Sequence, residues 1–325
     1  MILKLFKGSQ PAFLIVIPFF AVLLWTRSIL FPFEIPAHPG SMPLYDLVDD
    51  VVNSSRILSQ SLALLFLILT ALLLARINTK FILIPARTYL PAIIFLIIAS
   101  AYPHLHYFHP LVPSVILLLL AVNRMFDAYK KEGLCYHFFD ASILISLASM
   151  FYARMGAYIV IVWLGLIVLR PFYWKEWAMS VVGFALPYIF LVAFKYYLGQ
   201  DINLFLELVK DNFMLEQEPT YYKYPYYLFA GILAILIFLS SVRMMQINAG
   251  LKILVRQFSK VFFWLFLITV ILSVLFVESV GLFTIVAVPA AYLISFYFFS
   301  TVSRLAGEIM FLLFLLAYAS VQVLV

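Results

Sequence analysis

At 325 residues, 66% of them hydrophobic and only 11% charged, with mean hydropathy +1.10, the chain falls outside the water-soluble globular class, which needs roughly a quarter of its residues charged. The net charge of +6 and pI near 9.2 call for no nucleic-acid partner, because lysine and arginine of a lipid-embedded chain collect in cytoplasmic loops. The single cysteine, Cys135, excludes an intrachain disulfide framework and reads as a small buried hydrophobe.

The first apolar run, Pro11 to Phe31, follows Lys4 and Lys7. It is too long for a cleaved signal and lacks a small-residue cleavage site, so it reads as a signal-anchor. At 1.5 Å per residue a crossing needs about 20 apolar residues. On that basis spans are expected at 11–31, 57–75, 83–102, 110–126, 137–153, 155–170, 177–198, 225–242, 261–278, 282–300 and 305–324, about eleven in all. Charge tests this order. With the N-terminus inside, the inner loops collect Lys4, Lys7, Arg76, Lys80, Arg87, Arg124, Lys130, Lys131, Arg170, Lys175, Arg243, Lys252, Arg256, Lys260 and Arg304. The outer ones collect Glu34, Asp46, Asp49, Asp50, Asp201, Glu207, Asp211, Glu216, Glu218 and Glu278. This alternation predicts an all-α polytopic helical protein, N-terminus inside and C-terminus outside. No fixed-period repeat, low-complexity tract or proline-rich linker divides residues 1–325, which read as one integral membrane domain.

The outer loop 32–56 holds SMPLYDLVDDVVNSS. Ser41 ahead of Pro43 marks a helix start. At 100° per residue Leu44, Leu47, Val48, Val51 and Val52 fall on one side, and Asp46, Asp49, Asp50 and Asn53 on the other. The expectation is a short interfacial helix, apolar side down, with a carboxylate stripe to water. Such a stripe can hold a divalent cation or raise one member's pKa until it serves as a base. It is equally the polar face that any interfacial helix requires.

HLHYFH sets His104, His106 and His109 in an outer turn between Pro103 and Pro110, a spacing that is no specific metal signature, and no metal site is assigned. Asp140, one turn inside the fifth span, is an intramembrane acid, either functional or paired with Lys130, Lys131 or Arg170. The fifth and sixth spans are only about 15 residues each, roughly 23 Å against a 30 Å hydrocarbon layer. Arg154 and Gly156 at their junction therefore lie below the outer surface, where a guanidinium can grip a lipid phosphate in bidentate fashion or snorkel to head groups. The second outer loop, 199–224, runs into YYKYPYY. Tyr221, Tyr222 and Tyr224, with Tyr226 and Tyr227, are an interfacial belt or a platform for sugar faces and isoprenoid chains. No P-loop, dinucleotide fingerprint, G-x-S-x-G or H-E-x-x-H is present.

Through NRMFDAYKKEG, FFDASILISLASMFY and LRPFYWKEW, the chain resembles a polytopic inner-membrane family of the Bacteroidetes, a domain of unknown function, from the first span through residue 198. In layout it also resembles the C-type glycosyltransferases, which use polyprenyl-linked sugars: N-terminus inside, an acidic first outer loop and a long outer loop after the seventh span. That likeness would make residues 1–198 a glycosyltransferase-like module, 199–224 its second outer loop and 225–325 a set of added spans. It implies that the catalytic carboxylate is Glu34, Asp46, Asp49 or Asp50, with Arg154 on the polyprenyl phosphate. Three readings stay open: such an enzyme of the cell envelope, active or degenerate; a non-catalytic membrane subunit of an envelope assembly or secretion complex; and a transporter or flippase.

Overall fold

A computed structural model gives the fold and describes residues 13–31, 42–84, 88–129, 136–214, 224–247, 250–275, 282–301 and 304–324. Those residues form helices and turns, with no strand among them. In chain order the helices are α1 (Phe13–Leu30), α2 (Pro43–Val52), α3 (Arg56–Phe81), α4 (Leu90–Ala99), α5 (Leu111–Asp127), α6 (Tyr136–Phe151), α7 (Ile159–Leu169), α8 (Trp174–Tyr197), α9 (Ile202–Met214), α10 (Tyr224–Ile247), α11 (Ile253–Leu275), α12 (Leu282–Ser300) and α13 (Arg304–Leu324). Short 3-10 turns occupy Pro103–Leu105 and Ala153–Tyr158.

Six of these helices are long and apolar enough to cross a membrane: α3, α8, α10, α11, α12 and α13. This suits a multi-pass membrane protein. The other five expected crossings map onto α1, α4, α5, α6 and α7, of 18 residues or fewer, so length alone does not reach the expected eleven. The shortest, α4, has 10 residues, about 15 Å of helix, and Leu90 through Ile98 are all buried, packed on α12 and α3. Non-helical backbone is tolerated at membrane depth only where protein covers and satisfies it. Buried Asn78 does this at the entrance to α4, donating to the Thr88 carbonyl at 2.9 Å and accepting from the Ile84 N–H at 3.2 Å, while Thr88 Oγ1 accepts from the Leu90 N–H.

Local sequence explains several boundaries. Proline stands in the first turn of α2 and α4, where its missing N–H is harmless. Gly199, at φ +69°, ends α8: its N–H reaches the Tyr196 carbonyl and that of Gln200 the Lys195 carbonyl, a Schellman closure only glycine adopts freely.

Contacts between helix ends sort into two poles. At one, Arg27 and Tyr318 join α1 to α13, Gln322 bonds the Ser100 carbonyl after α4, Gln60 of α3 bonds Ser28 of α1, and Ser149 of α6 meets Tyr188 of α8. At the other, Lys80 of α3 pairs with Asp127 of α5 at 2.5 Å, Arg170 after α7 holds Glu176 of α8, and Arg243 of α10 donates to the Ser300 carbonyl of α12. The second pole carries most of the described cations. The first carries Asp46, Asp49 and Asp50, but also Arg27, Arg56 and Arg154, so charge sorting is a bias and not a partition.

Candidate functional site: the acidic pole and its apolar groove

The acidic helix α2 forms as expected, starting at Pro43, but its faces differ from the expected two sides. Tyr45 is fully buried and Val52 nearly so, whereas Leu47 and Val51 are exposed. The seat is a line at i, i+4 and i+8 made by Tyr45, Asp49 and Asn53. Tyr45 donates its hydroxyl to the Phe108 carbonyl at 2.9 Å. The Asn53 amide reaches the Tyr45 hydroxyl at 3.0 Å and Asp49 Oδ1 at 2.5 Å, and accepts from Ser59 Oγ at 2.5 Å. Ser59 Oγ in turn accepts from the Phe108 N–H at 2.9 Å. Burial first, and then the adjacent Asp49 carboxylate, push the Tyr45 phenol above its ordinary range. The three acids are therefore not equivalent: Asp49 is built into a joint between α2, α3 and the histidine loop, while Asp46 and Asp50 are exposed.

The histidines face inward. His106 stacks on Trp25 at 4.1 Å with planes 4° apart, its Nδ1 lies 2.7 Å from Ser28 Oγ, and Trp25 Nε1 donates to Ser100 Oγ at 3.0 Å. His104 Nδ1 meets the Tyr226 hydroxyl at 3.1 Å, and Tyr226 stacks on Tyr102. Burial lowers the pKa of His104 to about 4 and of His106 to about 3. Both are neutral in the fold, and the unfolded chain takes up protons near 6.5. Stability is therefore full above pH 6.5 and is lost as the pH falls toward 4 and 3. Thermal unfolding in detergent should show a loss of about 2 kcal/mol by pH 5 from His106 alone. His106→Phe should flatten that slope, and a wild-type transition unchanged between pH 7 and 5 would exclude this coupling.

Arg154, 4% exposed, lies in the Ala153–Tyr158 turn and donates Nε–H to the Phe213 carbonyl at 3.1 Å, in the last turn of α9. It thus fastens α9, against whose negative dipole end a cation is favoured. Nothing in the residue pattern signals that engagement. α9 is amphipathic, with Leu204 and Leu206 exposed and Phe205 buried under Lys195. Between α8 and α9 opens a groove of about 660 Å³, lined by Phe184, Tyr188, Ile189, Val192 and Tyr196 of α8 and by Ile202 of α9, with no polar surface in its walls. It adjoins the Arg154 turn: Phe184 and Ser149 crowd Gly156, and Tyr188 bonds Ser149 at 2.7 Å. Wholly apolar and open, it suits a hydrocarbon or isoprenoid chain and not a polar metabolite.

Asp140 faces Arg124 at 3.8 Å, a partly exposed ion pair with a partner other than the three expected cations. Of the tyrosine platform, Tyr224 and Tyr227 are exposed and Tyr226 is turned into the cluster with Tyr102. Glu34, Tyr221 and Tyr222 lie outside the described residues. The groove is lined by α8 and the first residue of α9 alone, and none of Arg154, Asp46, Asp49, Asp50 or Tyr224 lines it. Residues the sequence reading passed over are Tyr45 and Ser59 in the α2 joint, Trp25 and Ser28 under His106, and Gly183 and Glu176 on α8. The Tyr45–Asp49–Asn53 spacing was the one available signal. No family model, curated protein or solved structure matches the chain.

Proposed function

We propose that the chain is a multi-pass protein of the bacterial inner membrane, crossing eleven times from a cytoplasmic N-terminus to a periplasmic C-terminus, and that it handles polyprenyl-phosphate-linked sugars of the cell envelope. The scaffold would be that of the C-type glycosyltransferases, active or degenerate. The observation that carries this reading is the apolar groove between α8 and α9 beside the Arg154 turn. An isoprenoid chain would lie in the groove, with its phosphate toward the turn that Arg154 anchors to α9. Asp46 or Asp50, exposed on α2, would act as general base on the acceptor hydroxyl, with a divalent cation as the one cofactor the acids could hold. The alternation of helix ends between two poles supports the crossing number, with short α4 sheltered by its neighbours.

The test is photolabelling in lipid nanodiscs with a diazirine-bearing polyprenyl phosphate. Labelled peptides should map to α8 and α9, with competition by unlabelled polyprenyl phosphate and little by a diacyl phospholipid. Equal competition by both would reduce the groove to ordinary lipid contact.

A second reading, a non-catalytic subunit of an envelope assembly or secretion complex, is favoured by the joint that holds Asp49 with Tyr45 and Asn53. Replacing Asp46, Asp49 and Asp50 together by Asn separates the two. Loss of lipid-linked sugar turnover in a folded variant supports the enzyme. Unchanged turnover, with envelope proteins retained under mild detergent, supports the subunit.

A further inference from the structure

The pole opposite the acids carries a feature unconnected with the groove. No Asp or Glu occurs between residues 219 and 277, whereas Arg243, Lys252, Arg256 and Lys260 do. Arg256, Lys260 and Trp264 follow Lys252, which stands just ahead of α11, at steps of four, so they drift slowly down one flank of that helix. Among the described residues none of Lys252, Arg256 and Lys260 has an acidic partner. Between this flank and the end of α10 lies a pocket of about 140 Å³ lined by Ser241, Met244, Met245, Lys260, Phe263 and Trp264. It sets one ammonium and one hydroxyl beside the indole and two thioethers. Ser241 donates its hydroxyl to the Ile237 carbonyl at 2.9 Å, so the ammonium is the donor the pocket wall offers to an anion. Arg243 is held at the Ser300 carbonyl and Gln246 and is not part of the pocket wall.

We propose that this pocket binds the head group of an anionic membrane phospholipid, with its phosphate on Lys260 and Arg256 and the start of an acyl chain against Phe263 and Trp264. The chemistry of the lining selects this ligand. A loop that is merely basic attracts any anion through its field, but a cation set in a cleft between two spanning helices, with apolar walls running on from it, matches a molecule charged at one end and greasy at the other. Trp264, 40% exposed, has the amphipathic ring that settles at head-group level. A soluble phosphate would use the cations and leave the aromatic and thioether wall in contact with nothing.

The experiment uses the full chain in detergent, with retained phosphatidylglycerol counted by native mass spectrometry and thermal stability followed in parallel. One phosphatidylglycerol should stay bound where phosphatidylcholine does not, and inorganic phosphate should raise the transition temperature no more than chloride of equal ionic strength. Lys260→Gln and Arg256→Gln should each weaken retention roughly fivefold, the change expected for one surface cation, and Trp264→Ala should weaken it with the charge intact. The control is the pair Arg76→Gln and Lys175→Gln, which removes two basic-pole charges away from the pocket. Retention falling as far in that pair as in Lys260→Gln plus Arg256→Gln would overturn the proposal in favour of general electrostatic attraction. Equal retention of phosphatidylcholine, or stabilisation by inorganic phosphate alone, would overturn it as well.

Discussion

Arg170→Ala should destabilise the bundle by about 3–5 kcal/mol, the usual consequence of removing one partner from a buried ion pair. The Arg170 side chain is 9% exposed and that of Glu176 3%, and the two are in direct contact across the junction of α7 and α8. Arg170 also donates through Nε and Nη2 to the Ala128 carbonyl, at 3.2 and 2.8 Å, and lies over the Phe138 ring. One guanidinium thus joins the ends of α5, α7 and α8 to the start of α6. Without it the Glu176 carboxylate, whose Oε2 has no hydrogen-bond partner, stays buried and uncompensated, and the Ala128 carbonyl just after α5 loses its donor. The measurement is the midpoint of unfolding in a mixed-micelle titration with a denaturing detergent. Arg170→Met combined with Glu176→Leu should recover most of the loss, because two apolar groups of similar volume need no pairing. A single variant within 1 kcal/mol of wild type would show that water reaches the pair.

The next largest effect is expected at Gly183. A Cβ placed there would meet the Phe139 carbonyl oxygen at 2.6 Å and Phe139 Cα at 3.2 Å. The obstacle is backbone, so no rotamer change relieves it, and α8 must move away from α6. Lipid tails are as apolar as leucine, so helices in a bilayer associate through close packing at small residues, not through exclusion from water. Gly183→Ala should therefore cost about 1–3 kcal/mol by overpacking, and Gly183→Val more. Pro187 one turn on deprives the Gly183 carbonyl of its helical donor, which weakens α8 at this point. The displaced half of α8 carries the groove wall from Phe184 to Tyr196, and chain-probe labelling should fall together with stability. Gly156→Ala is the matched control. Its added methyl meets only ordinary contacts at 3.5 and 3.6 Å, and it should change stability by under about 0.5 kcal/mol.

How much of this was legible beforehand depends on what each residue faces. The apolar runs gave helices over most of the chain because twenty consecutive lipid-compatible residues leave few other backbone states. They could not give helix orientation, since in lipid the buried and exposed faces are both apolar. Leu47 and Val51 were expected with Val48 and Val52 on one downward side of α2, yet Tyr45 and Val52 bind the bundle and Leu47 and Val51 face outward. What decided the face was the polar line Tyr45, Asp49 and Asn53, where hydrogen bonds to the Phe108 backbone fix the register. The same holds for α4, where Asn78 in the preceding helix, and not any residue of α4, makes a 10-residue segment tolerable. Asp140 was legible as an ion-pair member, but Arg124 sits on a separate span in contact with α6, and sequence distance carried no hint of it. For Arg154 the sequence supplied the charge and the depth. Its bond to Phe213, 59 residues on, depends on α9 folding back beneath the end of α6.

The clasp between α1 and α13 bears on how the protein is made. Arg27 donates to the carbonyls of Val321 and Gln322, the Tyr318 hydroxyl to that of Leu24, and Gln322 to that of Ser100. These bonds join partners up to 295 residues apart, so α1 must wait for α13 to be made before its own contacts are complete. At a synthesis rate of about 5–20 residues per second, that interval is on the order of 15–60 s. Through it the guanidinium of Arg27 sits at the bilayer without the carbonyls it will finally hold, and the clasp forms only when α13 arrives.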